Sequence, residues 1–219
     1  MKRIILLFFG ILILSIYTGF VSCDKKKPTQ SSQDCPLTCR RGDINYNTIP
    51  YEVADLVLFA HYFVDGINIF SSDSTWRDFQ ICTSDVNKDC QSLTLSDLVY
   101  LVRIILHNAI EIKDTSPSSE LVFFVVRNNI ITTCCSKPIG AIRFEFDSLV
   151  VPYLLATGMD MLNKDNTVLI WSGIGSGIGN CIDNKDKIIS FTGNVRLKKV
   201  EAADCDSREL KNLIVIQLR

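Results

Sequence analysis

Two stretches of the chain repeat apolar residues at helical spacing. Leu56, Phe59, Ala60 and Phe63 fall on one side of a helix, and so do Leu98, Leu101, Val102 and Ile105. Steps of three and four residues predict amphipathic helices that bury one face. From Leu121 onward the period changes. "LVFFVVR" and "IITTCC" flank Asn128–Asn129, a turn signal. In "AIRFEFDS", Ile142, Phe144 and Phe146 alternate with Arg143 and Glu145. "TVLIWSG", "KIISFTG", "VRLKKVEA" and "LIVIQLR" add further strand-like runs between Gly, Asn and Asp clusters. The pattern predicts an α+β chain, a small all-α segment followed by an antiparallel β-sandwich.

Polar breaks divide the chain. Lys2 and Arg3 precede a mostly apolar run, Ile4 to Phe20, which ends in "FVSC". This is the layout of a secretory signal. Cys23 at the cleavage point resembles the lipidated cysteine of a bacterial lipobox, with Phe20 where leucine is usual. Simple secretion and an uncleaved anchor helix stay open. "DKKKPTQSSQD" reads as a flexible tether, and "DTSPSSE" as a second break. The expected organisation is a signal peptide at 1–22, a tether at 23–38, a helical repeat domain at 39–113 and a sandwich at 119–219.

An exported chain carrying nine cysteines permits disulfides. Cys35, Cys39, Cys82 and Cys90 flank two acidic loops, and the pairs nearest in sequence are Cys35–Cys39 and Cys82–Cys90. Connectivity does not follow from spacing alone. Zinc is the rival use, but the chain has no CxxC pair and only His61 and His107 to assist.

The helical segment is duplicated. "GDINYNTIPYEVADLVLFAHYF" aligns with "SDVNKDCQSLTLSDLVYLVRII" at a constant offset. Asp43 matches Asp85, Asn45 matches Asn87, Asn47 matches Asp89, and Asp55 matches Asp97. Alternating oxygen-bearing side chains followed by a later carboxylate suit Ca²⁺, a hard cation that takes six to eight oxygen ligands. The expected metal ligands are Asp43, Asn45, Asn47 and Asp55 in the first copy, and Asp85, Asn87, Asp89 and Asp97 in the second. The second set carries more formal charge and is expected to bind more tightly. The competing reading is a polar turn with an acid in the first turn of a helix.

The duplicated loop–helix unit resembles the type I dockerin repeat, an EF-hand-like calcium loop without its entering helix. "GDIN" with "ADL", and "SDVNKD" with "SDL", carry the resemblance. Thr48 and Cys90 stand where that loop has glycine, and Asp55 and Asp97 come one position late in both copies. Pro50 removes one backbone donor. The resemblance implies calcium as cofactor and a cohesin-like partner domain. It places partner recognition near Val53 and Ala54, and near Leu95 and Ser96. The strand-rich half resembles a cohesin-like or carbohydrate-binding sandwich, so the chain's own C-terminal half is an alternative partner. An unrelated sandwich remains the plainer reading.

Charge and chemistry narrow the function. The formal net charge of −1 offers no basic surface for nucleic acid. His61 and His107 lie in apolar helical runs and are expected to pack there, leaving no Ser-His-Asp set. "GIGSGIG", Gly173 to Gly179, lacks the Lys-Ser/Thr of a phosphate loop and reads as a loop between strands. Trp171 and Tyr153 fit a sugar platform or ordinary packing. The expectation is an exported, calcium-stabilised, non-catalytic interaction module, extracellular or lipid-anchored and linked to polysaccharide-related assemblies. The alternative is a small sugar-binding protein or polysaccharide-acting enzyme built on the C-terminal half.

Overall fold

The computed structural model describes residues 39–107, 116–172, 182 and 186–218. The signal, the tether, Cys23, Cys35, Cys181 and Gly173–Gly179 lie outside them. The described residues all fall within one compact unit.

Both predicted helices are present, as α1 (Val53–Asp65) and α3 (Leu95–Ile105). Their apolar stripes are buried as the spacing requires: Leu56, Phe59, Ala60 and Phe63 in α1, and Leu98, Leu101 and Val102 in α3. A third helix, α2 (Ser74–Thr83), fills the spacer between the copies, where no helix was expected. It starts because Asp73 caps it, accepting from the Thr75 and Trp76 N–H groups. Neither histidine packs as expected. His61 points its Nδ1 to Asp65 at 2.8 Å and is about two-fifths exposed. His107 lies past the end of α3 at φ 55° and is exposed.

Among the described residues nine strands follow: β1 (Ser118–Arg127), β2 (Ile130–Cys134), β3 (Ile139–Phe146), β4 (Val151–Leu154), β5 (Met159–Lys164), β6 (Thr167–Ser172), β7 (Lys187–Thr192), β8 (Leu197–Asp204) and β9 (Glu209–Gln217). They join in a single sheet of order β4-β7-β2-β1-β9-β8-β3-β6-β5. The sheet is mixed, which corrects the wholly antiparallel expectation. β9 runs parallel to β1, with Phe123 beside Ile214 and Val125 beside Ile216. β9 is the strand that joins the two halves of the sheet, antiparallel to β8 on one side and parallel to β1 on the other.

The sheet folds back on itself. Phe146 of β3 meets Phe191 of β7 with ring centroids 5.2 Å apart, although β2, β1, β9 and β8 lie between them in the ladder. Phe124 of β1 meets Phe144 of β3 edge-on at 5.7 Å. One apolar core, with Val122, Ile131, Ile142, Val168, Ile170 and Ile188, fills the space between the two halves.

A second core lies where the helices cover the sheet. Ala141 of β3, Leu169 of β6 and Ala203 of β8 share it with Phe59, Leu98, Leu101 and Val102. Small residues let the helices come close. A Cβ on Gly140 would sit 3.0 Å from both methyls of Val99. Polar contacts stitch the same seam. Arg143 Nε donates to the Phe63 carbonyl at 2.8 Å, and its Nη1 pairs with Glu201 at 2.9 Å. Arg103 Nη1 donates to the Cys205 carbonyl at 2.6 Å, and Lys164 pairs with Asp65. Full burial of a Phe or Leu side chain is worth about 1.5–3 kcal/mol, so this seam is a principal source of stability.

Candidate metal centre

The two acidic loops follow the same backbone course. Tyr46, Thr48 and Tyr51 have positive φ of 60°, 76° and 63°; their counterparts Lys88, Cys90 and Leu93 have 66°, 66° and 65°. Thr48 and Cys90 therefore take up the left-handed turn that glycine would give at no steric cost. For residues with a Cβ this costs roughly 1–2 kcal/mol each.

Side chains repeat as faithfully as backbone. Asn45 Oδ1 accepts from the Asn47 N–H at 3.0 Å, and Asn87 Oδ1 from the Asp89 N–H at 3.0 Å. Asn47 Oδ1 accepts from Ile49 N–H, and Asp89 Oδ1 from Gln91 N–H, both at 2.8 Å. These local bonds hold the loops in a tight curl. At the helix starts, Asp55 and Asp97 both complete capping boxes, with Glu52 and Thr94 respectively.

The late acids face inward. Asp55 Oδ1 accepts from Asn45 N–H at 3.0 Å and Oδ2 from Glu52 N–H at 3.1 Å. Asp97 Oδ1 accepts from Val86 and Asn87 N–H at 2.9 and 3.2 Å, and its Oδ2 from the Thr94 N–H and hydroxyl at 3.2 and 2.6 Å. The extra residue in each loop thus serves an internal anchor between loop and helix.

Electrostatics in the second loop are crowded. Asp85, Asp89 and Asp97 each offer an oxygen, and these lie within 4.8 Å of one another. Burial pushes the Asp97 carboxyl well above the usual carboxylate range, opposed by the Thr94 hydroxyl and reinforced by the charge of Asp89. Burial also raises Asp89, with Asp85 and Glu209 adding like charge. In the first loop burial raises Asp55, against the N–H groups of Asn45, Glu52 and Ile44.

The donor set fits a hard divalent cation. Every candidate side chain offers oxygen, which is the chemistry Ca²⁺ takes. Asp43 is 3% exposed, and its Oδ1 is a buried carboxylate oxygen with no hydrogen-bond partner. Such an atom is costly unless something positive faces it. Its Oδ2 accepts from Thr48 N–H at 3.1 Å.

Three participants were not read from the sequence. Glu52 accepts from the side-chain amides of Asn45, at 2.8 Å, and Asn47. Its place three residues before Asp55 is the capping-box signal that would have revealed it. Gln80 of α2 donates to the Ile44 carbonyl at 3.0 Å and braces the first loop, where Tyr46 packs edge-on against Trp76 at 4.9 Å. Arg41 Nη2 lies 3.3 Å from Asp85 Oδ2.

Other expected sites divide. Val53 is half exposed and Ala54 exposed, with Val57, Leu58, His61 and Ile69 around an apolar hollow of about 540 Å³. Leu95 and Ser96 are 5% and 2% exposed, so they do not form an open recognition surface. The first turn of α3 is turned inward, and Leu95 lines a cleft with Val200, Glu201 and Ala202 of β8. The sequence-local disulfides give way to Cys39–Cys82. The Gly42 N–H donates to the Thr83 carbonyl at 2.8 Å, so the two loop entrances lie side by side and bring these cysteines together. Cys90 and Cys205 are also disulfide-bonded, and Cys134 is an exposed thiol. Trp171 belongs to the helix–sheet core, whereas Tyr153 is exposed on edge strand β4, so no shared platform forms.

No protein-family model matches the chain, and no curated protein does.

Proposed function

We propose that the chain is an exported, calcium-stabilised, non-catalytic interaction module whose dockerin-like loop–helix pair docks on its own sheet. The observation that carries this reading is the matched loops: one backbone course and one set of oxygen donors, repeated, with a buried orphan oxygen on Asp43. The core shared by α1, α3, β3, β6 and β8 supports the chain's own C-terminal half as the partner of the repeat. The apolar hollow at Val53 and Ala54 remains outward, where a cohesin-like domain or other protein surface would be met. The disulfide-bonded Cys39, Cys82, Cys90 and Cys205 support an oxidising compartment. Cys23 lipidation would hold the module at a membrane.

When bound, calcium would neutralise the buried carboxylates, with Asp43, Asn45 and Asn47 holding it in one loop and Asp85, Asn87 and Asp89 in the other. Asp55 and Asp97 would keep each loop closed behind it. The test is calorimetric titration with calcium, beside thermal melts in chelator. We expect heat of binding and a higher melting temperature with calcium, both reduced in Asp43→Ala and Asp85→Ala. Absence of heat and of any melting shift would sink the proposal.

A further inference from the structure

The calcium reading leaves unexplained a cation that the fold supplies itself. Cys39 is bonded to Cys82, so Arg41, two residues after Cys39, is carried to Asp85, three residues after Cys82. The Arg41 guanidinium reaches Asp85 Oδ2 at 3.3 Å, with the two side chains 20% and 6% exposed. A pair so shielded from water is screened little by salt. The first loop has no equivalent. The residue 42 positions after Arg41 is neutral Thr83, and among the described residues no ion pair involves Asp43.

We infer that Arg41 is a built-in competitor for the cation at the second loop, which makes the two loops unequal in the reverse order to that expected from the sequence. Sequence alone credits the second loop with the larger charge. The structure adds Glu52, which accepts from the side-chain amides of Asn45 and Asn47, to the Asp43 and Asp55 carboxylates of the first loop. The second has three carboxylates whose oxygens converge within 4.8 Å, Asp85, Asp89 and Asp97, but it carries the positive charge of Arg41 against the first of them. An incoming cation must displace or repel that guanidinium, whereas among the described residues no cationic side chain pairs with Asp43. Arg41 is thus a positioning residue. In the metal-free protein it holds Asp85 in place, and it sets how much calcium is needed to fill that loop.

The inference rests on the calcium reading, and one experiment separates the two. Calcium is titrated calorimetrically into the disulfide-intact chain as wild type, Arg41→Gln, Arg41→Lys and Asp85→Asn. Two unequal steps are expected in the wild type, with Asp85→Asn removing the weaker. Arg41→Gln should tighten the weaker step roughly tenfold or more and leave the stronger unchanged. Arg41→Lys, which keeps the charge, should resemble the wild type. Melting provides a second readout. Asp85 loses a cationic partner in Arg41→Gln, so that variant should melt lower in chelator yet gain more from calcium than the wild type. Unchanged or weakened affinity in Arg41→Gln, with two steps still present, would overturn the role of Arg41 alone. No heat in any of the chains would overturn the calcium reading and the competitor with it.

Discussion

Asp55 and Asp97, 42 positions apart, each turn both carboxylate oxygens back onto the loop that leads into their helix. A carboxylate that gathers N–H donors from both ends of a loop acts as its clasp. It fixes the curl before any ion arrives, which lowers the ordering cost of binding.

This clasp makes Asp97 the most sensitive position of the second loop. Asp97→Asn puts an amide NH₂ among four hydrogen-bond donors in a site with no exposure. We expect a loss of about 2–4 kcal/mol, similar with and without calcium. Urea denaturation in chelator and in calcium would measure it. A variant destabilised only in calcium would show that Asp97 serves the ion and not the loop.

Acidity should stabilise the metal-free fold over a defined range. Asp55, Asp89 and Asp97 all have raised carboxyl pKa values, so the folded chain takes up protons before the unfolded one does. Where the folded state binds more protons, stability falls as pH rises. The contribution is therefore greatest below the ordinary Asp value of 3.8 and is lost as pH climbs through the raised values. Asp65 and Glu201 are lowered and oppose this only at the acid end. Melts in chelator should rise on going from pH 7 toward 5, while the increment due to calcium shrinks as protons compete. A flat profile in chelator would contradict the crowding of these carboxyls.

Cys39–Cys82 closes a large loop around the first repeat, with a sequence separation of 43. Chain-entropy arguments put such a bond at about 4 kcal/mol. The paired Cys39→Ser, Cys82→Ser chain should lose stability of that order in guanidinium denaturation. It should also lose the Arg41–Asp85 contact, and so take up calcium more readily at the second loop.

Gly42 is held at φ 81° with the Tyr51 ring over it, where a Cβ would lie 2.2 Å from ring carbons. Gly42→Ala should cost about 2–4 kcal/mol, combining left-handed strain and overpacking. Adding Tyr51→Ala should recover the packing part. A double-mutant cycle showing no coupling would place the strain elsewhere.

The repeat was legible because its signals are local. Asp and Asn at alternate positions, and apolar residues at helical spacing, report on neighbours a few residues away. The strands with strong alternation, such as Ile142, Phe144 and Phe146, were equally plain. β4 was hidden by Pro152, tolerated on an edge strand, and β5 by the mixed run "MDMLNK". What the sequence did not disclose depends on residues far apart. The Cys39–Cys82 bond, the reach of Arg41 to Asp85 and the burial of Leu95 and Ser96 all follow from how the repeats lie against each other and the sheet. Glu52 is the exception, since its capping-box spacing was there to be read.

The parallel pairing of β1 with β9 bears on how the chain is made. Phe123 must wait for Ile214 before the two halves of the sheet are joined. Contacts between residues so distant in sequence form slowly and late. A chain threaded unfolded across a membrane would present two half-sheets with bare edges until its last strand emerged, and that interval is when such edges are most prone to aggregate. The strand that completes the fold therefore also sets the length of the chain's most vulnerable moment.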